Sequence, residues 1–153
     1  MAAHTDVASH TSATYAISAS LPATYDAAGY AATTITYTAI GKMAKFPTYG
    51  SRRSVTNFPM ISEGIAKIKG APDYGGGDLM MADVPADAGQ VILKAAEASA
   101  NHYSLKITYA DGEVHYLDVL VHAWELSEGA ESAAMARTAA VAICRAPVVV
   151  AAS

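Results

Sequence analysis

Hydrophobic and polar residues alternate along most of this chain, which is the pattern of β-strands with one buried face. The predicted strands are 14–20, 33–40, 79–84, 103–110, 113–124 and 133–145. Only one segment, 87–100, repeats its apolar residues at the helical period, and no alternation of strands with helices is present. The sequence therefore predicts a mostly β fold, an antiparallel β-sandwich or barrel with one flanking helix.

The predicted helix has a defined start and a predicted buried side. Asp87 is its expected N-cap, and Gln90 follows three residues later, which is the spacing of a capping box. The residues expected to face the sheet are Val91, Ile92, Ala95, Ala96 and Ser99. A further single helical turn is expected near Asp26.

The runs 103–110 and 113–124 predict a tight hairpin, because Asp111-Gly112 lies between them and a type I′ turn needs positive φ at both of its central positions. Pairing outward from this turn sets the expected register. The expected pairs are Tyr109 with Val114, Ile107 with Tyr116, and Tyr103 with Leu120. Opposed residues share a face of the sheet, and we expect this face to form the core.

Residues 44–77 interrupt the alternation with three prolines, six glycines, four aromatic residues and a pair of arginines. The prolines exclude a helix, and a disordered linker has no apolar surface that could bury aromatic rings. We expect an extended arm with tight turns, including a flexible turn at Gly75–Gly77, that lies against another copy of the protein. The predicted interface residues are Phe46, Pro47, Tyr49, Arg52, Arg53, Phe58 and Tyr74.

The length of 153 residues predicts one domain, 1–153. Within it we expect an N-terminal tail at 1–13, the arm at 42–77 and an apolar C-terminal tail at 146–153. Charged residues make up only 16% of the chain, which suggests that part of the surface faces a partner rather than water.

The charges are unevenly distributed along the chain. Between Lys42 and Lys69 there are six basic residues and one acid, whereas Gly70 to Ser153 holds eleven acids and four basic residues. Such complementarity suits head-to-tail contact between identical subunits; chance variation around solvated loops is the alternative. The net charge of −4 argues against a domain that grips nucleic acid phosphates.

No constellation of residues points to catalysis, a metal or a cofactor. None of the five histidines has zinc-binding spacing. Asp118 and His122 share a strand face but lie about 13 Å apart along it, whereas catalytic partners need about 3 Å. The single cysteine, Cys144, excludes an intrachain disulfide and is expected to be buried and inert. No signal peptide or membrane span is predicted, so we expect folding in a reducing cytoplasm.

Five segments, through their order and spacing, resemble the major tail tube proteins of long, non-contractile-tailed bacteriophages. They are PATYDAAGY at 22–30, YTAIGKMAKFPTYG at 37–50, GIAKIKGAPDYGGGDLMM at 64–81, DAGQVILKAA at 87–96 and YSLKITYADGEVHYL at 103–117. With the final alanine-rich strand they span nearly the whole chain. Contractile tail tubes and type VI secretion tubes share the fold that this resemblance implies.

The resemblance also implies an architecture. Six copies would close into a ring whose inner strands form a continuous β-barrel, and stacked rings would form a hollow tube through which DNA leaves the head. The segment after Ile40 would reach a neighbouring subunit or ring, and the helix would sit outside the lumen. The implied protein is structural, with no enzymatic activity and no cofactor. It would be assembled in the bacterial host cytoplasm, belong to the virion tail, and contact tape measure, terminator and distal tail proteins.

The sequence departs from the family pattern at two places. Lys42 and Lys45 flank a segment where an acid is expected, and the last strand, ARTAAVAIC, has few β-branched residues before the apolar ending RAPVVVAAS. These departures leave open which strand face lines the lumen and how the C-terminus docks.

A tube that conducts DNA should not hold it, because each lysine or arginine that faces phosphate adds salt-sensitive affinity. We therefore expect a neutral or acidic lumen that DNA crosses without specific binding, with Asp78, Asp83 and Asp118 as candidate lining residues. The alternative is that these acids keep the outer wall soluble. An alternative function is a small β-sandwich module that binds a ligand such as a carbohydrate through Trp124 and the tyrosines.

Overall fold

The computed structural model describes residues 13–128 and 135–151. These residues form nine strands, which make one antiparallel sheet, and two helices that flank it. In chain order they are β1 (Thr14–Ser18), α1 (Ala27–Tyr30), β2 (Thr38–Ala39), β3 (Met43–Lys45), β4 (Tyr49–Met60), β5 (Gly64–Ala82), α2 (Ala88–Ala98), β6 (Tyr103–Thr108), β7 (Val114–Ser127), β8 (Ala136–Ile143) and β9 (Val148–Val150).

The sheet runs in the order β2-β1-β6-β7-β8-β5-β3, with β4 paired to β5 and β9 paired to β7. All the pairs are antiparallel. The sheet does not close into a barrel within the subunit. The predicted fold class, mostly β and antiparallel with a flanking helix, is confirmed; the second helix, α1, has four residues.

One face of the sheet carries the main core, and α2 covers it. Leu93 and Ala96 of α2 are fully buried in one cluster with Leu105, Leu117 and Val119 of the sheet. Burying each large aliphatic side chain contributes about 1.5–3 kcal/mol. This packing, rather than helix propensity, holds an 11-residue helix in place.

The predicted N-cap of α2 is confirmed, but the predicted buried side is only partly correct: Ile92 and Ala96 pack against the core, and Val91 does not. The side chain of Asp87 accepts a hydrogen bond from the Gln90 amide at 3.1 Å. Val91, which was expected to face the sheet, is 54% exposed, whereas Leu93 is fully buried. Of the expected face, Ala96 alone is fully buried.

The buried side chain of Gln90 explains this rotation of α2. Its amide nitrogen donates to the carbonyls of Ala82 at 2.9 Å and Gly41 at 3.3 Å, and its oxygen accepts from the Val84 amide at 3.1 Å. A buried amide left unpaired would cost about 1–3 kcal/mol. These three bonds therefore fix which side of the helix faces inward, and a hydrophobic pattern does not contain that information.

The predicted hairpin of β6 and β7 is present, but its register differs from the prediction by one residue. Ile107 lies opposite His115 rather than Tyr116. The Tyr109 amide donates to the Glu113 carbonyl at 2.9 Å, and Gly112, with φ 95°, donates to the Tyr109 carbonyl at 3.0 Å. The connection is thus a three-residue loop with a bulge at the glycine, not a two-residue type I′ turn.

This one-residue slip turns the opposite face of β7 toward the core. The inward side chains of β7 are Leu117, Val119 and Val121, in place of the expected Val114, Tyr116 and Leu120. On β6, Tyr103 and Ile107 are buried as expected.

The second face of the sheet is partly covered by the segment around α1. Tyr30 stacks on Tyr116 with ring centroids 5.2 Å apart, and the Tyr37 hydroxyl donates to the Tyr30 carbonyl at 3.0 Å. The predicted helical turn is confirmed as α1, whose N-cap Asp26 accepts from the Gly29 amide at 2.7 Å. The strand predicted at 33–40 shortens to β2.

The glycine run that was expected to form a flexible turn lies inside β5, so that prediction is wrong. At Gly76, φ is 141° and an added Cβ would lie 2.5 Å from the Val141 carbonyl oxygen. The absence of side chains lets β5 and β8 approach closely. The strand predicted at 79–84 is therefore the end of a 19-residue strand.

The C-terminal part of the chain contains the predicted last long strand and one further short strand. The last long strand is present as β8, although residues 133 and 134 of its predicted start lie outside the described residues. The apolar tail contains β9, in which Val149 pairs with His115 at the start of β7. Residues 1–12 of the predicted N-terminal tail lie outside the described residues.

Gly89 in the first turn of α2 provides a test of this packing. An added Cβ would lie 2.3 Å from the Ala39 carbonyl oxygen. Alanine favours a helix over glycine by about 1 kcal/mol, but overlap with backbone should outweigh this gain. We expect Gly89→Ala to lower the free energy of unfolding in urea by about 1–3 kcal/mol.

The matched control is Val91→Ala on the exposed side of the same helix, which should change the free energy of unfolding by less than about 0.5 kcal/mol. A Gly89→Ala variant as stable as the unmodified protein would show that α2 can move away from β2 without loss.

Candidate assembly surfaces

The predicted arm is a two-stranded β-hairpin made by β4 and the first half of β5. Its register places Asn57 opposite Lys67 and Phe58 opposite Ala66, and a turn at 61–63 connects the strands. β4 pairs with β5 and with no other described strand. Every residue from 51 to 59 is exposed. The outer hairpin is therefore not covered by the described part of its own chain.

The hairpin carries large apolar side chains in contact with water. They are Val55 at 57% exposure, Phe58 at 60%, Ile61 at 109%, Ile65 at 62% and Ile68 at 58%. Clustered exposure of this kind marks an interaction surface. Among these residues only Phe58 is a predicted interface residue. The Ser62-Glu63-Gly64 step between two β-rich runs was the signal that could have identified the hairpin and its other apolar residues.

The predicted interface residues near the base of the arm contact the chain's own core. Phe46 stacks on Tyr15 with ring centroids 5.0 Å apart, and Tyr49 meets Phe46 edge-on at 5.6 Å. Pro47 is buried, and Tyr74 is partly buried against the core. An interface role for these four residues remains a prediction, since each already has packing partners within the subunit.

A hydrogen-bonded chain of four side chains fixes the base of the arm to the β6–β7 loop. The Tyr49 hydroxyl lies 2.8 Å from the Tyr109 hydroxyl and also contacts Nδ1 of His115. Nε2 of His115 lies 2.6 Å from the Glu113 carboxylate. With a neutral imidazole, Nε2–H donates to Glu113 and Nδ1 accepts from Tyr49. Burial raises the pKa of Tyr49, and the bond to Tyr109 raises it further.

The predicted interface arginines and the hairpin lysines place four cations on the hairpin, where Asp73 lies opposite Arg52. Arg52, Arg53, Lys67 and Lys69 are all exposed. Arg53 donates to the Gly70 carbonyl at 3.2 Å. None of the four forms an ion pair with a described residue. Their charges are available to a partner.

The three candidate lumen acids occupy very different environments. Asp78 is exposed and directly precedes the buried Leu79 in β5. Successive strand residues point to opposite faces, so the carboxylate of Asp78 lies on the face away from the main core. Asp83 is half-buried and accepts from Nε of Arg137 at 3.0 Å. Asp78 is the one of the three whose carboxylate is open to solvent.

Asp118 is buried within the subunit, at 1% exposure. Its carboxylate oxygens lie 3.0 Å from Nδ1 of His102 and 3.1 Å from Nε of Arg145. The Arg145 guanidinium also lies 3.7 Å over the Tyr25 ring. A carboxylate held in this way does not face a channel; it joins the C-terminal segment and the α1 region to β7. Sequence spacing placed His122 on the same strand face but too far away to be a partner, and His102 and Arg145 are brought in by the fold.

Trp124 is not an open platform for a ligand. The Arg137 guanidinium lies 5.3 Å from the centre of its ring, and its indole Nε1 is buried with no hydrogen-bond partner among the described residues. Cys144 is partly buried just after β8, and burial raises the pKa of its thiol. No group of three or more His, Cys, Asp or Glu side chains in 13–128 and 135–151 could hold a metal ion. Neither described helix is long and apolar enough to cross a membrane.

No protein family model and no curated protein matches the sequence, but solved structures match the fold. A chain of the SPP1 tail tube superposes with a TM-score of 0.63 at 12% identity, over 90% of this chain and 75% of that one. The chain has a tail tube fold. A chain of the anti-feeding prophage baseplate, solved with 6-fold symmetry, gives a TM-score of 0.64 at 8% identity over 92% and 93% of the two chains.

A chain from the tail of an empty GTA particle with C6 symmetry superposes with a TM-score of 0.59 at 10% identity, over 89% of this chain and 95% of that one. These matches cover 89–92% of the chain. The fold that the sequence resemblance implied is therefore confirmed, while identities this low concern the fold alone.

The buried tyrosines predict how stability depends on alkaline pH. Burial raises the pKa of Tyr30, Tyr37 and Tyr49 above 10.0. The folded state therefore favours the neutral phenols, and this contribution is complete below pH 10 and is lost as pH rises above it. We expect the free energy of unfolding to fall above pH 10, with tyrosinate absorbance of these residues appearing only as the protein unfolds.

The variant Tyr37→Phe removes the hydrogen bond to the Tyr30 carbonyl, so its free energy of unfolding at neutral pH should be lower by about 1 kcal/mol. Above pH 10 its free energy of unfolding should decline less steeply than that of the unmodified protein, because one ionisable phenol is missing. Gradual ionisation of all nine tyrosines near pH 10 without unfolding would contradict the burial of these phenols.

Proposed function

We propose that this protein is a structural subunit of a phage tail tube, which assembles into stacked hexameric rings around a hollow conduit for DNA ejection. The observation that carries this proposal is the tail tube fold, shared over 89–92% of the chain with subunits of tail and baseplate assemblies. Two of those assemblies have six-fold symmetry. A fold shared across most of the chain supports a shared mode of assembly.

The exposed hairpin supports self-assembly independently of this likeness. Large apolar side chains in water are unfavourable by about 25 cal/mol per Å² of apolar surface. A subunit of 153 residues that keeps five of them on one hairpin has a surface suited to a partner. We infer that the hairpin reaches a neighbouring subunit or ring, as the sequence resemblance implies.

The proposed lumen wall is the face of β5 and β8 that carries Asp78. This face turns away from the main core, and the residue opposite Asp78 on it is Ala140, whose small side chain is itself buried. A wall with small residues and an acid repels a polyanion rather than binding it. DNA would then cross the lumen without specific contacts, and α2 would lie on the outer side.

The remaining parts of the proposal follow from the tail tube role. The protein would be assembled in the host cytoplasm and belong to the virion tail, with tape measure, terminator and distal tail proteins as partners. The alternative role is a carbohydrate-binding module that uses Trp124 and the tyrosines, and the position of Arg137 over the Trp124 ring does not favour it.

Electron microscopy of the purified protein tests the proposal directly. We expect rings or tubes at high protein concentration, with six-fold symmetry in end-on views. A monodisperse monomer at every accessible concentration would overturn the proposal.

Assembled tubes should not retain duplex DNA at about 0.15 M salt, where exposed charges are screened beyond about 8 Å. Asp78→Lys should add salt-sensitive DNA retention, because it places a cation on the proposed wall. Glu97→Lys, the same charge change on the exposed side of α2, should not. Equal retention by both variants would show that the Asp78 face does not line the channel.

A further inference from the structure

The two faces of the hairpin differ in charge. In an antiparallel pair, opposed residues project from the same face. One face, called here the uncharged face, consists of Thr56, Phe58 and Met60 with Ile68, Ala66 and Gly64 opposite them. The other, called here the lysine face, consists of Val55, Asn57 and Pro59 with Lys69, Lys67 and Ile65 opposite them. In these paired segments both faces present apolar side chains to water, but only one contains charged groups; Arg52 and Arg53 lie nearer the base of the hairpin, beyond a register shift.

The charge of the hairpin indicates what its partner must carry. From Lys42 to Lys69 the chain has six basic residues and one acid, and the hairpin cations have no ion-pair partner among the described residues. The rest of the chain is acidic, with exposed carboxylates at Asp78, Glu97, Glu125 and Glu128. A second copy of the chain therefore supplies the complementary charge, which favours it as the partner.

The cost of burying charge decides which face makes the contact. An ammonium group taken out of water is unfavourable unless it is paired and hydrogen-bonded. The centres of protein interfaces are accordingly depleted in lysine and enriched in aromatic residues. The uncharged face offers Phe58 and Ile68 with no such cost, and aromatic anchors of this kind carry much of the energy of an interface.

We propose that the uncharged face of the hairpin docks on the body of a second copy, while the lysine face remains at the solvated rim beside the acids of that copy. This inference rests on the proposed assembly into tubes and adds to it the side of the arm that is buried. A two-stranded hairpin is marginally stable by itself. Docking of one face should therefore also order residues 51–70.

Matched double variants separate the two faces, because their apolar residues are comparably exposed in the subunit. Phe58→Ser with Ile68→Ser removes the apolar residues of the uncharged face. Val55→Ser with Ile65→Ser does the same on the lysine face. We expect the first pair to raise the protein concentration needed for half-maximal assembly at least about tenfold, and the second to raise it by less than about threefold.

Two further measurements support the comparison. Far-UV circular dichroism and thermal melting of the isolated subunits should be alike for both pairs, since the substituted side chains contact water. Hydrogen exchange at residues 51–70 should slow when the unmodified protein assembles. In the Phe58→Ser, Ile68→Ser variant it should remain fast at a protein concentration at which the Val55→Ser, Ile65→Ser variant assembles.

The possible results are distinct. A larger effect from the lysine-face pair, equal effects from both, or normal assembly by both would each overturn the choice of face while leaving the tube proposal intact. If the unmodified protein forms no assembly, the tube proposal itself fails and this inference fails with it.

Discussion

The continuity of β5 is the constraint on which the rest of the structure depends. The last seven residues of this strand are paired with β8 inside the sheet, and its earlier residues pair only with β4. One strand therefore belongs both to the body and to the hairpin. Gly76 makes the crossing possible, since any side chain there would collide with the carbonyl of Val141. The direction in which the hairpin leaves the body is set by the same hydrogen bonds that build the sheet.

Three polar groups fix the positions of α2, the base of the hairpin and the C-terminal segment, which hydrophobic packing alone does not determine. Gln90 fixes the rotation of α2, and the Tyr49–His115–Glu113 chain fixes the base of the hairpin to the β6–β7 loop. Asp118 does the same for the C-terminal segment. Each group is buried or partly buried, so each contributes specificity through the cost of leaving it unpaired. Of the ten basic residues, four lie exposed on the hairpin: Arg52, Arg53, Lys67 and Lys69.

The sequence predicted the fold class, the start of α2 and the existence of the β6–β7 hairpin, because these depend on local periodicity and capping. It did not predict the register of that hairpin, since Asp-Gly suits two turn types that differ by one residue. The surroundings of Asp118 were also out of reach, because its partners are 16 and 27 residues away in sequence. The arm was recognised by its composition, yet its exposed isoleucines were not, because apolar residues in a β pattern are ordinarily assigned to a core.

The antiparallel pairing of β5 with β8 has a mechanical consequence. A tensile load applied along the hairpin would act parallel to β5, and it would strain all seven β5–β8 residue pairs at once rather than opening them one after another. Strands loaded in shear resist separation far better than strands that are unzipped from one end. A subunit joined to its neighbour through this hairpin would transmit stretching forces directly into the middle of its own sheet, with no loop between the joint and the load-bearing hydrogen bonds.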